Sequence, residues 1–244
     1  MNSHYGLIGY PLGHSFSKKY FENRFKTSNS KDTYNLFEIT SANLVTEVIK
    51  NNNLKGLNVT IPHKQEVIPF LDKLDRSAQL VGAVNVIKNN NGELTGFNTD
   101  YPAFRLSLKK WLEHTNLKAL VLGTGGASKA VIAALNDLKI QHQLVSRISS
   151  TNVITYKELA DNHNWLKTHR LIINTSPVGM YPNIELSPTL PYNLLTQNHY
   201  LYDLVYNPEE TAFMQNGLAN GAKAKNGLEM LQLQAELAWD IWNA

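Results

Sequence analysis

The sequence contains no cysteine, which excludes disulfide scaffolds, zinc–thiolate sites and cysteine nucleophiles. Long hydrophobic runs are missing as well. Apolar runs such as residues 119–122 and 171–173 fall far short of the roughly 18 apolar residues of a membrane span. There is no strong charge of one sign: 23 Lys+Arg against 20 Asp+Glu give a net charge of +3, scattered along the chain. Neither nucleic acid nor a membrane surface is therefore expected as a partner. The eight histidines form no H-x-x-x-H pair, so no metal site is expected. The first residues lack a charged segment followed by an apolar one, and a cytoplasmic protein is expected.

What is present is an ordinary globular composition, with 43% hydrophobic and 18% charged residues in 244. That length suits one large domain or two modest ones. Strand-like segments at residues 5–9, 34–39 and 54–61 alternate with helical patterns at 17–25 and 44–49, the rhythm of a parallel sheet covered by helices. Residues 83–88 and 93–97 flank Asn91-Gly92, whose residue types suit the positive φ angles of a tight hairpin. An antiparallel edge on a mostly parallel sheet is expected there. A helix beginning near Pro102 connects to a second β-α-β series, with strands at 118–123, 143–146, 170–174 and 200–205 and a helix at 127–138. A long amphipathic helix, "LEMLQLQAELAWDIW", ends the chain. The expected fold is α/β in two domains. Residues 1–100 with the C-terminal helix 226–244 form a substrate domain, and residues 101–225 a Rossmann-like domain.

"VLGTGGASKA", residues 121–130, places Gly123, Gly125 and Gly126 between a strand and a helix. Such glycines let a pyrophosphate approach the free N–H groups of a helix N-terminus. The third small position of the G-x-G-x-x-G pattern is Ser128. The next strand ends on neutral Ser146 followed by Arg147. A carboxylate there would bond an unphosphorylated ribose, whereas a guanidinium binds a 2′-phosphate, so NADP is favoured over NAD. The bland alternative is a solvated surface arginine.

Ligands of parallel α/β sheets bind beyond the carboxyl ends of the strands. By that rule Ser15 and Ser17 after the first strand, Thr60 and Lys64 after the third, Asn85 within the hairpin and Asp100 at its exit are expected to converge on one cleft. Four of them also have a structural explanation: the two serines as helix caps, Asn85 as a hairpin residue, Lys64 as a solvated helix-start charge.

Taken together, "YPLGHSFS", "NVTIPHK", "GAVNVI", "GFNTD", "GTGGASKA", "NTSPVGM" and "NGLEMLQLQA" resemble shikimate dehydrogenase, in order and spacing, from Tyr5 to about Trp242. The resemblance implies reversible NADP-dependent reduction of 3-dehydroshikimate to shikimate. It implies Lys64 as the general acid of reduction and Asp100 as its paired carboxylate. By the same resemblance Ser15 and Ser17 bind the substrate carboxylate, with Tyr206 near it, while Thr60, Asn85, Asp100 and Gln234 engage ring hydroxyls. For Gln234 the alternative is a solvated helix position. The cofactor would be held by Gly123, Thr124, Gly125, Gly126, Ala127, Ser146, Arg147, Asn174, Thr175, Ser176, Met180, Val205 and Gly227. A small-molecule substrate and a monomer or homodimer are implied.

Three features depart from the family's pattern: Tyr101 stands where a glycine is common, no second basic residue follows Arg147, and residues 147–170 are short. Other readings of the same residues are a quinate/shikimate dehydrogenase with relaxed cofactor use and a non-catalytic regulator that binds dinucleotide or shikimate.

Overall fold

Residues 5–8, 57–59 and 119–122 are buried at every position, as strands covered by helices on both faces must be. The computed structural model, which describes residues 2–13 and 15–244, builds two six-stranded sheets around them. The chain divides into two compact units, one of residues up to Pro102 with Leu233–Ala244, the other Ala103–Gln232.

The first unit runs β1 (His4–Gly9), α1 (Phe16–Thr27), β2 (Thr33–Glu38), α2 (Val45–Asn51), β3 (Leu54–Val59), β4 (Lys73–Leu74), α3 (Arg76–Val81), β5 (Val86–Asn90) and β6 (Glu93–Phe97). Its sheet order is β2-β1-β3-β5-β6-β4. The β5–β6 hairpin turns on Asn91 (φ 52) and Gly92 (φ 99), the positive-φ pair its residues call for. The antiparallel hairpin was expected at the sheet's edge. Two-residue β4 pairs outside it instead, parallel to β6, an element too short to leave a periodic signal. The segment after β3 also differs: residues 61–67 form turns rather than a helix start. The Ile61–Pro62 peptide is cis.

Helix α4 (Asp100–Trp111) leads into the second unit, which contains β7 (Lys118–Leu122), α5 (Gly126–Asp137), β8 (Gln141–Ser146), β9 (Val153–Thr155), α6 (Tyr156–Asp161), α7 (Asn164–Thr168), β10 (Leu171–Asn174), β11 (Tyr200–Asp203), α8 (Ala212–Ala219) and β12 (Lys223–Lys225). All its strand pairs are parallel. The order β9-β8-β7-β10-β11-β12 is 3-2-1-4-5-6 counted within the unit, the doubly wound dinucleotide-binding arrangement. Its topological switch point lies between β7 and β10.

The last helix, α9 (Leu228–Asn243), brings Ala235, Ala238 and Trp242 into the first unit's core with Tyr5, Phe21 and Phe25. Trp242 is fully buried and stacks on Tyr5 at 4.9 Å between ring centroids. Its indole Nε1 donates to the Ile87 carbonyl at 3.0 Å, which satisfies the one polar atom it buries. The opposite face of this sheet is covered by the apolar residues Val45 and Ile49 of α2 and Ala78 of α3.

Candidate active site

In the first unit β1, β3 and β6 run in one direction and β5 in the other. The carboxyl ends of β1, β3 and β6 and the amino end of β5 therefore lie along one edge of the sheet. Thr60 follows β3, Asn85 precedes β5, Asp100 follows β6, and Ser15 and Ser17 follow β1. Topology alone brings these five residues to that edge.

Lys64 Nζ donates to Asp100 Oδ2 at 2.7 Å. The two side chains are 26% and 17% exposed, shielded enough to hold one geometry and open enough to meet a ligand. The surroundings fix both. Val84 N–H donates to the Lys64 carbonyl at 2.7 Å. Neighbouring His63 is fully buried, with Nε2 at 2.7 Å from the Ile39 carbonyl and Nδ1 at 2.8 Å from Glu66. On the Asp100 side, Asn85 Oδ1 accepts from Thr99 N–H at 2.7 Å, and Asn85 Nδ2 donates to Thr99 Oγ1 at 3.0 Å. Asn98 Oδ1 accepts from Tyr101 N–H at 3.1 Å at the start of α4.

Asn85 thus lies just outside the hairpin strand, 3% exposed, and holds the turn that carries Asp100. Ser15 caps α1, its Oγ accepting from Lys18 N–H at 3.3 Å, so the capping role proposed for it is present. Ser17 is half-buried, and the nearby Tyr34 hydroxyl donates to Asn58 Oδ1 at 2.7 Å. Burial pushes the Tyr34 phenol well above its ordinary range. Asn58 Nδ2 in turn donates to the Asn85 carbonyl at 3.3 Å. A buried polar chain therefore runs from Tyr34 through Asn58 to Asn85. Sequence reasoning missed Tyr34, Asn58 and His63. The available signal was a polar residue inside an apolar strand, Asn58 in "LNVT", since a buried amide needs partners. Gln234, on α9, is 8% exposed, so it is buried rather than solvated.

In the second unit the glycine turn and the Asn174–Val178 loop follow β7 and β10, the two strands of the switch point. Gly123 has φ 109, a conformation side chains rarely adopt. A Cβ at Gly125 or Gly126 would meet nothing within 4 Å. Protein packing does not demand glycine at these two positions, and what their bare backbone leaves is room before the N-terminus of α5. That space and the orphan N–H groups of a 12-residue helix fit a pyrophosphate. Ser128 does not face that space: its Oγ donates to the Gly125 carbonyl at 2.6 Å. Arg147 is exposed past β8, and its charge is felt by the Tyr156 phenol, which burial raises.

Several expected cofactor residues are committed internally. Thr175 Oγ1 donates to the Leu122 carbonyl at 2.9 Å. Asn174 is fully buried and Val205 is 6% exposed. Gly227 donates its N–H to the Val205 carbonyl at 3.2 Å, and a Cβ there would strike the Leu204 backbone. Ser176 is half-buried, Met180 is exposed at 47%, and Thr124, Ala127 and Ser146 flank the glycine turn and the end of β8. Tyr206 belongs to this unit, 36% exposed, with burial raising its phenol. Grooves of about 480 and 500 Å³ in this unit are lined from Lys118 and Gln141, at the amino ends of the strands, away from the glycine turn. Among the described residues no group of three or more His, Asp or Glu could hold a metal ion, and no helix is long and apolar enough to cross a membrane.

Residues 7–87 match the shikimate dehydrogenase substrate binding domain model. The chain is 37% identical over 252 residues to a shikimate dehydrogenase (NADP(+)) of Carboxydothermus hydrogenoformans, covering 97% of this chain and 90% of the relative. A crystal structure of a shikimate dehydrogenase in complex with NADP+ superposes with a TM-score of 0.87 at 31% identity, over 99% of this chain and 90% of that one. The Thermus thermophilus shikimate 5-dehydrogenase in complex with NADP(H) and shikimate gives 0.85 at 29% identity, over 98% and 93%.

Proposed function

The chain belongs to the shikimate dehydrogenase family, and we propose that Lys64 and Asp100 are the pair with which it works. It is an NADP-dependent oxidoreductase that reversibly reduces 3-dehydroshikimate to shikimate in the shikimate pathway. Turning a ketone into an alcohol adds a hydride at carbon and a proton at oxygen. Bound NADPH supplies the hydride. The proton is the protein's part, and the observation that supports the assignment is the 2.7 Å bond between Lys64 Nζ and Asp100 Oδ2 at a strand edge lined with short polar side chains.

Lys64 carries the proton at Nζ and gives it to the substrate oxygen in reduction; in oxidation it takes the proton back. Asp100 holds the Lys64 side chain in line and accepts from a ring hydroxyl. Thr60 and Gln234 bond further hydroxyls, and Ser15 and Ser17 bind the carboxylate. Asn85 contributes by fixing Thr99 and hence Asp100. A closed polar site of this kind discriminates by hydrogen bonds, since each donor or acceptor left without a partner costs about 1–3 kcal/mol.

We assign the first unit to the substrate and the second to the cofactor, with the pyrophosphate on the N-terminus of α5 and the 2′-phosphate on Arg147. Substrate and cofactor are the small-molecule partners. The protein is placed in the cytoplasm as a monomer or homodimer. Incubation of the protein with shikimate and NADP+, followed by nicotinamide absorbance, tests the reading. Turnover is expected, faster with NADP+ than with NAD+. No turnover with either cofactor, in a protein that still binds shikimate, would instead indicate a regulator that binds without reacting.

A further inference from the structure

Asp203 ends β11 and is fully buried, yet the reaction makes no use of it. It lies beside Asn174 in the β10–β11 register, so the two residues close adjacent strands at the carboxyl edge of the sheet. Its carboxylate takes three donors from three different segments. Oδ1 accepts from Asn174 Nδ2 at 2.9 Å and from Val205 N–H at 3.0 Å, and Oδ2 accepts from Thr211 Oγ1 at 2.6 Å.

Each partner organises a stretch of chain. Asn174 Oδ1 accepts from Ser176 N–H at 3.1 Å and Ser176 Oγ at 2.7 Å, which folds the Asn174–Val178 loop back on itself. Thr211 is the N-cap of α8, its Oγ1 accepting from Met214 N–H at 3.3 Å. Val205 receives the Gly227 N–H on its carbonyl. Leu204 N–H donates to the Asn174 carbonyl at 2.9 Å, and Thr175 reaches back to the end of β7. One buried carboxylate thus ties the loop after β10, the loop after β11 and the start of α8 into a single unit.

We propose that Asp203 is a positioning residue for the cofactor: through Asn174 and Val205 it sets the two loops that face the cofactor site at the switch point of the second sheet. This rests on the assignment of that site to NADP. Keeping a buried carboxylate there is costly, since burial raises its pKa to about 6 despite its three donors. A neutral side chain would serve packing alone at lower cost, whereas a carboxylate can accept all three bonds at once.

The test is direct binding of NADP+ and, separately, of shikimate to the full-length protein by calorimetry, with a thermal melt of each variant. Asp203→Ala is expected to weaken NADP+ at least about tenfold, the loss that corresponds to one strong hydrogen bond to a charged group. Its affinity for shikimate should stay within about twofold, because the substrate residues other than Tyr206 lie in the other unit. Asp203→Asn keeps an oxygen for Asn174 and Val205 and can donate to Thr211, whose hydroxyl can also accept, so it should restore NADP+ binding to within about threefold. If Asp203→Ala does not fold, Thr211→Val decides, with NADP+ expected to weaken about threefold. Unchanged NADP+ affinity in folded Asp203→Ala or, where that variant does not fold, in Thr211→Val, or equal loss of both ligands, would overturn the proposal. Failure of the unmodified protein to bind NADP+ would overturn the cofactor assignment instead.

Discussion

Arg147 and Asp203 show opposite uses of charge at the residue scale. Arg147 is exposed beyond β8 and the strand end offers no carboxylate, so Arg147→Ala should raise the KM for NADP+ about tenfold while leaving that for NAD+ nearly unchanged. Equal effects on both cofactors, in steady-state kinetics, would remove the 2′-phosphate role. Asp203 is ionised at neutral pH at a cost, because burial raises its pKa from 3.8 to about 6. The sign follows from proton uptake: between these two values the folded state binds more proton than the unfolded one, so this group adds stability as pH falls through about 6 toward 4. Relative to Asp203→Asn, the unmodified protein should gain up to about 3 kcal/mol across that window in urea titrations. A constant difference would mean that the carboxyl titrates normally. Glu229 does not confuse the comparison. Burial alone would raise it, but Lys110, Lys225 and Ser107 together hold it at about 2, so its stabilising contribution is lost only as pH falls from about 4.5 toward 2.

At the scale of elements, α9 and the glycine positions make the fold depend on close approach. Trp242 fills the space over Gly56, where a Cβ would collide with the indole. Trp242→Ala should cost about 3–5 kcal/mol in a chemical melt. Gly227→Ala should destabilise as well by pressing on the Leu204 backbone, whereas Gly125→Ala, with open space around it, should leave stability nearly unchanged and weaken NADP+. Comparable melting temperatures for the two alanine variants would contradict this division. The sequence made the long elements legible because their patterns are strong: the buried runs of β1, β3 and β7, the Asn91-Gly92 turn and the apolar stripe of α9 each carry a local physical signal. The two-residue β4, the three-residue β9 and β12 and the short helices α3, α6 and α7 carry too few residues for a period to show. Lys64 and Asp100 were legible through their flanking motifs. Tyr34, Asn58 and Asp203 were not, because their work depends on partners brought together by strand pairing, such as Tyr34 with Asn58, 24 positions apart, and Asp203 with Asn174, 29 positions apart.

On the scale of the whole molecule, the assignment of one ligand to each unit has its own consequence. Ligands that bind only the folded state stabilise it by mass action, about 2.7 kcal/mol at one hundred times Kd. Amide hydrogen exchange should show NADP+ protecting residues 123–128 and 174–180, and shikimate protecting residues 58–66 and 98–101. Protection of the opposite segments by either ligand alone would contradict the assignment. In the proposed reaction the proton is moved by Lys64, held by the Asp100 carboxylate at 2.7 Å. Steady-state turnover of Lys64→Ala with shikimate and NADP+, beside calorimetric binding of shikimate, tests it most directly. The expected result is a fall in kcat on the order of 10²–10⁴ with shikimate affinity changed only a few-fold. Turnover near that of the unmodified protein would contradict it.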